Sequence, residues 1–207
     1  DVFVRDLQLG TTELVSVNAA GSGAGDNWST AVAMSPDGRF VLFTSEALDL
    51  VAGGTSTRDV FVRDRQTNTT SLASLGASGQ QGNGPSLAKA ISSDGRYVLF
   101  ESHASNLVGA DSNGVQDVFR RDRLAGTTQL VSVNQAGSDT GDGFSVADAM
   151  STNGRFVLFR SLGTNLTSTP DNNATYDVFV RDLTAGLTSL ASVNSAGTAT
   201  GSGGSAE

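Results

Sequence analysis

The chain contains no cysteine in its 207 residues, which excludes both a disulfide framework and a thiolate metal site. It has a single histidine, His103, so a histidine-rich metal centre and most nucleophile–histidine arrangements are excluded as well. Prolines number three and tryptophans one, and no stretch approaches the ~20 apolar residues of a membrane-spanning helix. Cations are scarce: 13 Lys and Arg face 21 Asp and Glu, for a net charge of −8 and a pI near 4.5. Such a chain lacks the basic face that tracks a phosphate backbone, so neither nucleic-acid binding nor membrane insertion is expected. Lys89 is the only lysine. There is no G-x-S-x-G elbow and no phosphate-binding glycine loop, and paired carboxylates in an acidic protein do not by themselves indicate a glycosidase.

What the chain does have is internal repetition. The hexapeptide "DVFVRD" stands at Asp1, Asp59 and Asp177, with "DVFRRD" at Asp117, at spacings of 58, 58 and 60 residues. Each copy leads through a turn into "TTELVSV", "TTSLASL", "TTQLVSV" or "LTSLASV", then a Gly-rich stretch, then "AVAMSPDGRFVLFTS", "AKAISSDGRYVLFES" or "ADAMSTNGRFVLFRS". One unit therefore holds four runs of strand character. Strand A is Ser29–Ser35, Ser86–Ser92 and Ser145–Ser151. Strand B is Arg39–Ser45, Arg96–Ser102 and Arg155–Ser161. Strand C is the "DVFVRD" run. Strand D covers Thr12–Val17, Thr70–Leu75, Thr128–Val133 and Thr188–Val193. The cores "FVLF" and "YVLF" are apolar without alternation, as in a strand buried on both faces. No segment keeps a helical period.

The turns carry their own mechanism. "SPDG", "SSDG" and "STNG" place Gly last in a tight hairpin connecting A to B. Between C and D, Gly10, Asn68, Gly126 and Gly186 occupy equivalent places. The exchange of Gly with Asn points to a residue that must take positive φ.

Four short antiparallel strands per repeat is the pattern of a propeller blade. In "SPDGRFVLF" and "DVFVRD" the chain resembles the TolB-like, WD-type β-propeller repeat of bacterial envelope and secreted proteins. The resemblance covers essentially the whole chain. It implies an all-β propeller of four-stranded blades: a half blade at 1–18, blades at 28–76, 83–134 and 144–194, and an open C-terminal stretch at 195–207. That is about 3.5 blades. Opening directly on a strand, the chain reads as a mature or excised segment, and its open edges are expected to be adhesive.

Alternate connections of such blades share a face, so the long B–C and D–A loops crowd one rim, where a functional surface is expected. Asp111, Asn113 and Asp117 stand at spacing 0, 2, 6, and Asp171, Asn173 and Asp177 repeat it. Carboxylate and amide oxygens in this pattern suit calcium, and an Asx turn bonding its own backbone is the competing reading. In the D–A loop Trp28 is a candidate for stacking on a ligand or partner. Strand A lines the channel of a propeller, and Lys89 and Asp148 align there at one height in adjacent blades. They are read either as an interblade ion pair or as a polar spot for a small anion or metal. Arg120, replacing the Val of the other strand C copies, is expected to reach an edge or an Asp, and the repeated "RD" to form structural bridges.

Two functions fit these features. One is a non-catalytic extracellular, cell-surface or periplasmic propeller, calcium-stabilised, that binds a protein partner or self-associates through open blade edges. The other is the propeller portion of a secreted hydrolase or lyase whose catalytic residues lie elsewhere.

Overall fold

A computed structural model of the chain describes residues 1–109, 111–169, 171, 173–197 and 199–201. Residues 202–207 of the expected open C-terminal stretch thus lie outside the described residues. Among the latter there are fourteen strands and no helix. The half blade is the hairpin of β1 (Phe3–Asp6) and β2 (Thr11–Leu14). The first full blade is β3 (Ser29–Met34), β4 (Phe40–Ser45), β5 (Asp59–Asp64) and β6 (Thr69–Leu72). The second is β7 (Ser86–Ile91), β8 (Tyr97–Ser102), β9 (Asp117–Asp122) and β10 (Thr127–Leu130). The third is β11 (Ser145–Met150), β12 (Phe156–Ser161), β13 (Asp177–Asp182) and β14 (Leu187–Leu190). Each blade is an antiparallel meander whose strands pair in sequence order.

The turns behave as their residues require. Gly38, Gly95 and Gly154 have φ of 71–73°, and Gly10, Asn68, Gly126 and Gly186 have φ of 55–69°, so every A–B and C–D turn contains a left-handed residue. In the first A–B turn the Ser35 hydroxyl accepts the Phe40 amide (2.9 Å), and the Asp37 carboxylate accepts that of Arg39 (3.0 Å).

Strand D is shorter than its apolar run predicts, because beyond the Val15 N–H, which still donates to the Val2 carbonyl (2.9 Å), a serine hydroxyl takes over the ladder. The Val2 amide is bonded to Ser16 Oγ, and Ser16 Oγ–H in turn to the Asp1 carboxylate (3.1 and 3.0 Å). The same Asp–Ser–amide unit recurs at Asp59–Ser74–Val60, Asp117–Ser132–Val118 and Asp177–Ser192–Val178.

The core lies in the seams between blades. Val2 and Val15 of the half blade pack on Val41, Phe43 and Phe61 of the first blade. Leu42, Val60 and Val62 on that blade's other face meet Val98, Phe100 and Phe119 of the second. Leu99, Val118 and Val131 then meet Val157, Phe159 and Phe179 of the third. Within each full blade the B and C phenylalanines stack, with ring centroids 5.5–5.6 Å apart. Two-sided burial holds for β4, β5, β8 and β9. It fails for β12, where buried residues alternate with more exposed ones, since among the described residues no further blade covers its second face.

Candidate functional site

The long loops of one rim pack against each other in pairs. Asp26 accepts the Leu48 amide (2.7 Å), and its own amide is bonded to the Asp49 carboxylate (3.0 Å). Asn83 and Asn106 repeat this reciprocal clamp with the amide of Ser105, and Asp142 and Asn165 with that of Thr164. The Asp/Asn content of these loops is thereby tied to backbone donors. The partners Asp49, Asn106 and Asn165 escape a reading that looks only for clusters of acids. Their signal is the Leu that follows each one, Leu50, Leu107 and Leu166, all buried.

In the loop before β9, Asn113 turns its nitrogen, not its oxygen, toward Asp117 (2.9 Å) and also bonds the Gly141 carbonyl (2.8 Å). Its Oδ1 accepts the Val115 amide (2.9 Å). Asn173 is bonded in the same way to Asp177, the Gly201 carbonyl and the Thr175 amide. Asp171 accepts the Asn173 amide (3.3 Å). The amide oxygens counted as candidate calcium ligands are therefore committed to Asx turns, which leaves a carboxylate pair in each loop. Among the described residues no group of three or more His, Asp or Glu side chains converges to hold a metal. Calcium at either loop would need backbone carbonyls and water for most of the six to eight oxygens it takes.

The carboxyls of these loops are nonetheless perturbed. Burial pushes Asp117 up to about 7, against the opposing hydrogen bonds from Ser132 and Asn113. Burial also raises Asp111, with repulsion from Asp139 added. Asp171 is raised by burial, and proximity to Asp177 adds to it. Asp59, in the first full blade, is raised by burial as well.

On strand A the structure separates the two residues that the alignment brought to one height. Lys89 pairs with Glu101 of its own blade (2.9 Å), and Asp148 with Arg160 of its own (3.0 Å). The expected interblade ion pair between them does not form. The reason is local: the pairing register of A on B shifts at Val32, Lys89 and Asp148, the extra residue of a β-bulge, which re-aims its side chain. What crosses the seam is a backbone donor. The Ala147 amide is bonded to Glu101 (2.7 Å), and that of Ala88 to Thr44 (3.0 Å). Trp28, 40% exposed, sits beneath the Arg58 guanidinium at 5.3 Å, and Arg58 is held by Glu46 (2.8 Å). This rim cluster is still partly open to solvent.

The "RD" pairs are bridges within and between blades. Asp64, Asp122 and Asp182 bind the A–B turn arginines Arg39, Arg96 and Arg155 at 2.6–2.7 Å, and these hydrogen bonds hold each carboxyl below the usual range. Arg120 reaches no Asp: it bonds the Gly154 carbonyl across the seam (2.7 Å) and Gln129 (2.9 Å), over the Tyr97 ring.

No protein-family model matches the chain, and no curated protein sequence does. Solved structures do resemble it. TolB from Acinetobacter baumannii shares 18% identity over 91% of this chain and 36% of its own, with a TM-score of 0.48. A prolyl endopeptidase shares 14% over 91% and 25%, with a TM-score of 0.54, and the tricorn protease 12% over 91% and 20%, with a TM-score of 0.50. The chain spans little more than a third of TolB and a quarter or less of the two proteases. At these identities the likeness speaks to fold alone. With its fourteen strands in three meanders and a hairpin, the chain has a β-propeller fold.

Proposed function

We propose that this chain is a non-catalytic propeller module, working outside the cytoplasm, that binds a protein partner through an open blade. One observation carries the reading. Phe3 is 58% exposed, whereas its repeat equivalents Phe61, Phe119 and Phe179 are 0–2% exposed. Two further features of the half blade point the same way. Among the described residues β1 pairs only with β2, leaving its other edge free for a strand. Among the described residues Asp6 accepts only the Gln8 and Leu9 amides, where Asp64, Asp122 and Asp182 also hold an arginine.

The occupant that answers all three is a β-hairpin of this chain's own repeat type, from a partner or from residues that precede Asp1 in a longer chain, adding its strand to β1 by β-augmentation. Its turn arginine meets Asp6, and its apolar strand covers Phe3. The A–B hairpins of a second folded copy are already engaged in their own sheets, so simple dimerisation does not supply it. The test is a fluorescent peptide copying Ser86–Ser102, titrated into the protein with anisotropy as readout. Saturable binding that weakens about tenfold for Asp6→Asn supports the proposal, on the strength of one charge-assisted pair. Absence of binding, or binding indifferent to that substitution, refutes it. A concentration-dependent dimer that excludes the peptide assigns the edge to a second copy instead.

A further inference from the structure

The arginines of strand C next to its last aspartate, Arg63, Arg121 and Arg181, lie at three equivalent seams, and each seam treats the charge differently. Arg121 is wrapped in oxygen: Nη1 donates to the Gly76 carbonyl and to Thr128 Oγ1, both at 3.0 Å, and to the Leu75 carbonyl at 3.4 Å. Arg181 bonds Thr188 Oγ1 (2.9 Å), leaves its buried Nε–H without a partner, and borders two cavities, one acid-free and one that Asp139 also lines. Arg63 lacks the oxygen cage of Arg121 and shares with Arg181 an unpartnered Nε–H beside a cavity, but no acidic residue lines the cavity at its own seam. It is 8% exposed, and its guanidinium reaches only Thr70 Oγ1 and Asn68 Oδ1, both at 3.3 Å. Its Nε–H is buried and has no hydrogen-bond partner, and among the described residues no carboxylate lies within ion-pair distance of it.

Beside Arg63 lies a cavity of about 590 Å³ between the half blade and the first blade. Val17, Leu50 and Val51 form an apolar wall, and Asn68, Thr69 and Thr70 a polar one. None of its lining residues is acidic, in a chain of net charge −8. A buried cation without an anion is costly, and the guanidinium fork matches the two oxygens of a carboxylate. Volume and mixed lining fall in the range of small-ligand sites.

We infer that this cavity binds a carboxylate carrying a short aliphatic group, with the remaining Nη N–H groups of Arg63 receiving the oxygens and the Val17–Leu50–Val51 wall the aliphatic part. Such a group is offered by the C-terminus of a peptide or by a free aliphatic acid. The residues involved are not those of the unpaired β1 edge, so this site stands or falls apart from the association proposed above.

The test is an NMR titration of the intact protein, following the Arg63 Nε–H and the amides of residues 17–21 and 50–52. The probes are acetyl-Ala-Val with a free C-terminus, its C-terminal amide, and isobutyrate. The free-acid peptide is expected to shift these resonances saturably, and amidation to weaken it by about tenfold or more. Isobutyrate binding as well as the peptide assigns the site to free acids, and peptide binding alone assigns it to chain termini. Arg63→Lys is expected to weaken binding by a similar factor, and Arg121→Lys to leave it unchanged. Should Arg63→Lys fold poorly, Ala19→Trp fills the cavity while leaving the guanidinium in place, and is expected to abolish binding. Equal binding of acid and amide, or no response at about 10 mM probe, overturns the inference.

Discussion

The seams can be tested by adding one methyl group. Gly95 and Gly126 lie in the turns of the same blade and share nearly the same backbone, with φ of 71° and 69°. An alanine at either pays the left-handed penalty of roughly 1–2 kcal/mol. Their surroundings differ. A Cβ on Gly95 would sit 2.2 Å from the Phe40 ring of the preceding blade, whereas the nearest side-chain atom to a Cβ on Gly126 is Arg121 Nη2, at 4.0 Å. Phe40 lies between that glycine and the Arg123 guanidinium, 5.2 Å from its ring, and Arg123 bonds the Gly95 carbonyl, so the ring can yield only toward the open groove it borders. Overpacking of this kind adds about 1–3 kcal/mol. Gly95→Ala is therefore expected to cost about 2–5 kcal/mol and Gly126→Ala about 1–2. At roughly 2–4 °C per kcal/mol for a chain of this size, the two melting temperatures should differ by several degrees. Urea unfolding followed by far-ultraviolet circular dichroism and by Trp28 fluorescence measures both variants. Phe40→Leu should recover part of the loss in Gly95→Ala and none in Gly126→Ala. Equal destabilisation by the two alanines refutes the view that ring-on-glycine contacts hold the blades together.

Two other expectations concern charge. Asp117 titrates near 7 when folded and near 4 when unfolded, so between these values the folded state holds a proton that the unfolded state lacks. Its contribution to stability therefore falls as pH rises through this window, by at most about 4 kcal/mol; thermal melts from pH 4 to 8 should show Asp117→Asn gaining on the parent as pH rises, and parallel curves would contradict this. Calcium is checked by chelation: with Asn113 and Asn173 bonded to backbone, excess EDTA is expected to leave the melting temperature unchanged, and a fall of several degrees would restore calcium to these loops.

How far the sequence reveals the molecule depends on whether a residue's role is set within its own unit. Gly10, Asn68, Gly126 and Gly186 are legible because the turn alone demands positive φ, and the spacing of "DVFVRD" counts the blades. Lys89 and Asp148 are misread because the bulge that re-aims them exists only when strand A meets strand B. Asn113 and Asn173 are ambiguous for a related reason: sequence cannot say which end of an amide faces Asp117 or Asp177, and that orientation is decided by the Gly141 and Gly201 carbonyls of another loop. The nearly identical runs of β4 and β12 make the same point about packing. "FVLFTS" is buried on both faces, while "FVLFRS" leaves Phe156 40% exposed and alternates along its length. Composition fixes how much apolar surface each strand offers, but the neighbouring blade decides how much of it is buried. Arg63 and Arg121 extend the argument to chemistry. The residue type and strand position are the same, and the loop opposite is one residue shorter where Gly76 closes on Arg121 than where Asn18 faces Arg63. A difference of that size, invisible to a repeat alignment that matches strands, separates a satisfied structural bridge from a cation facing a cavity.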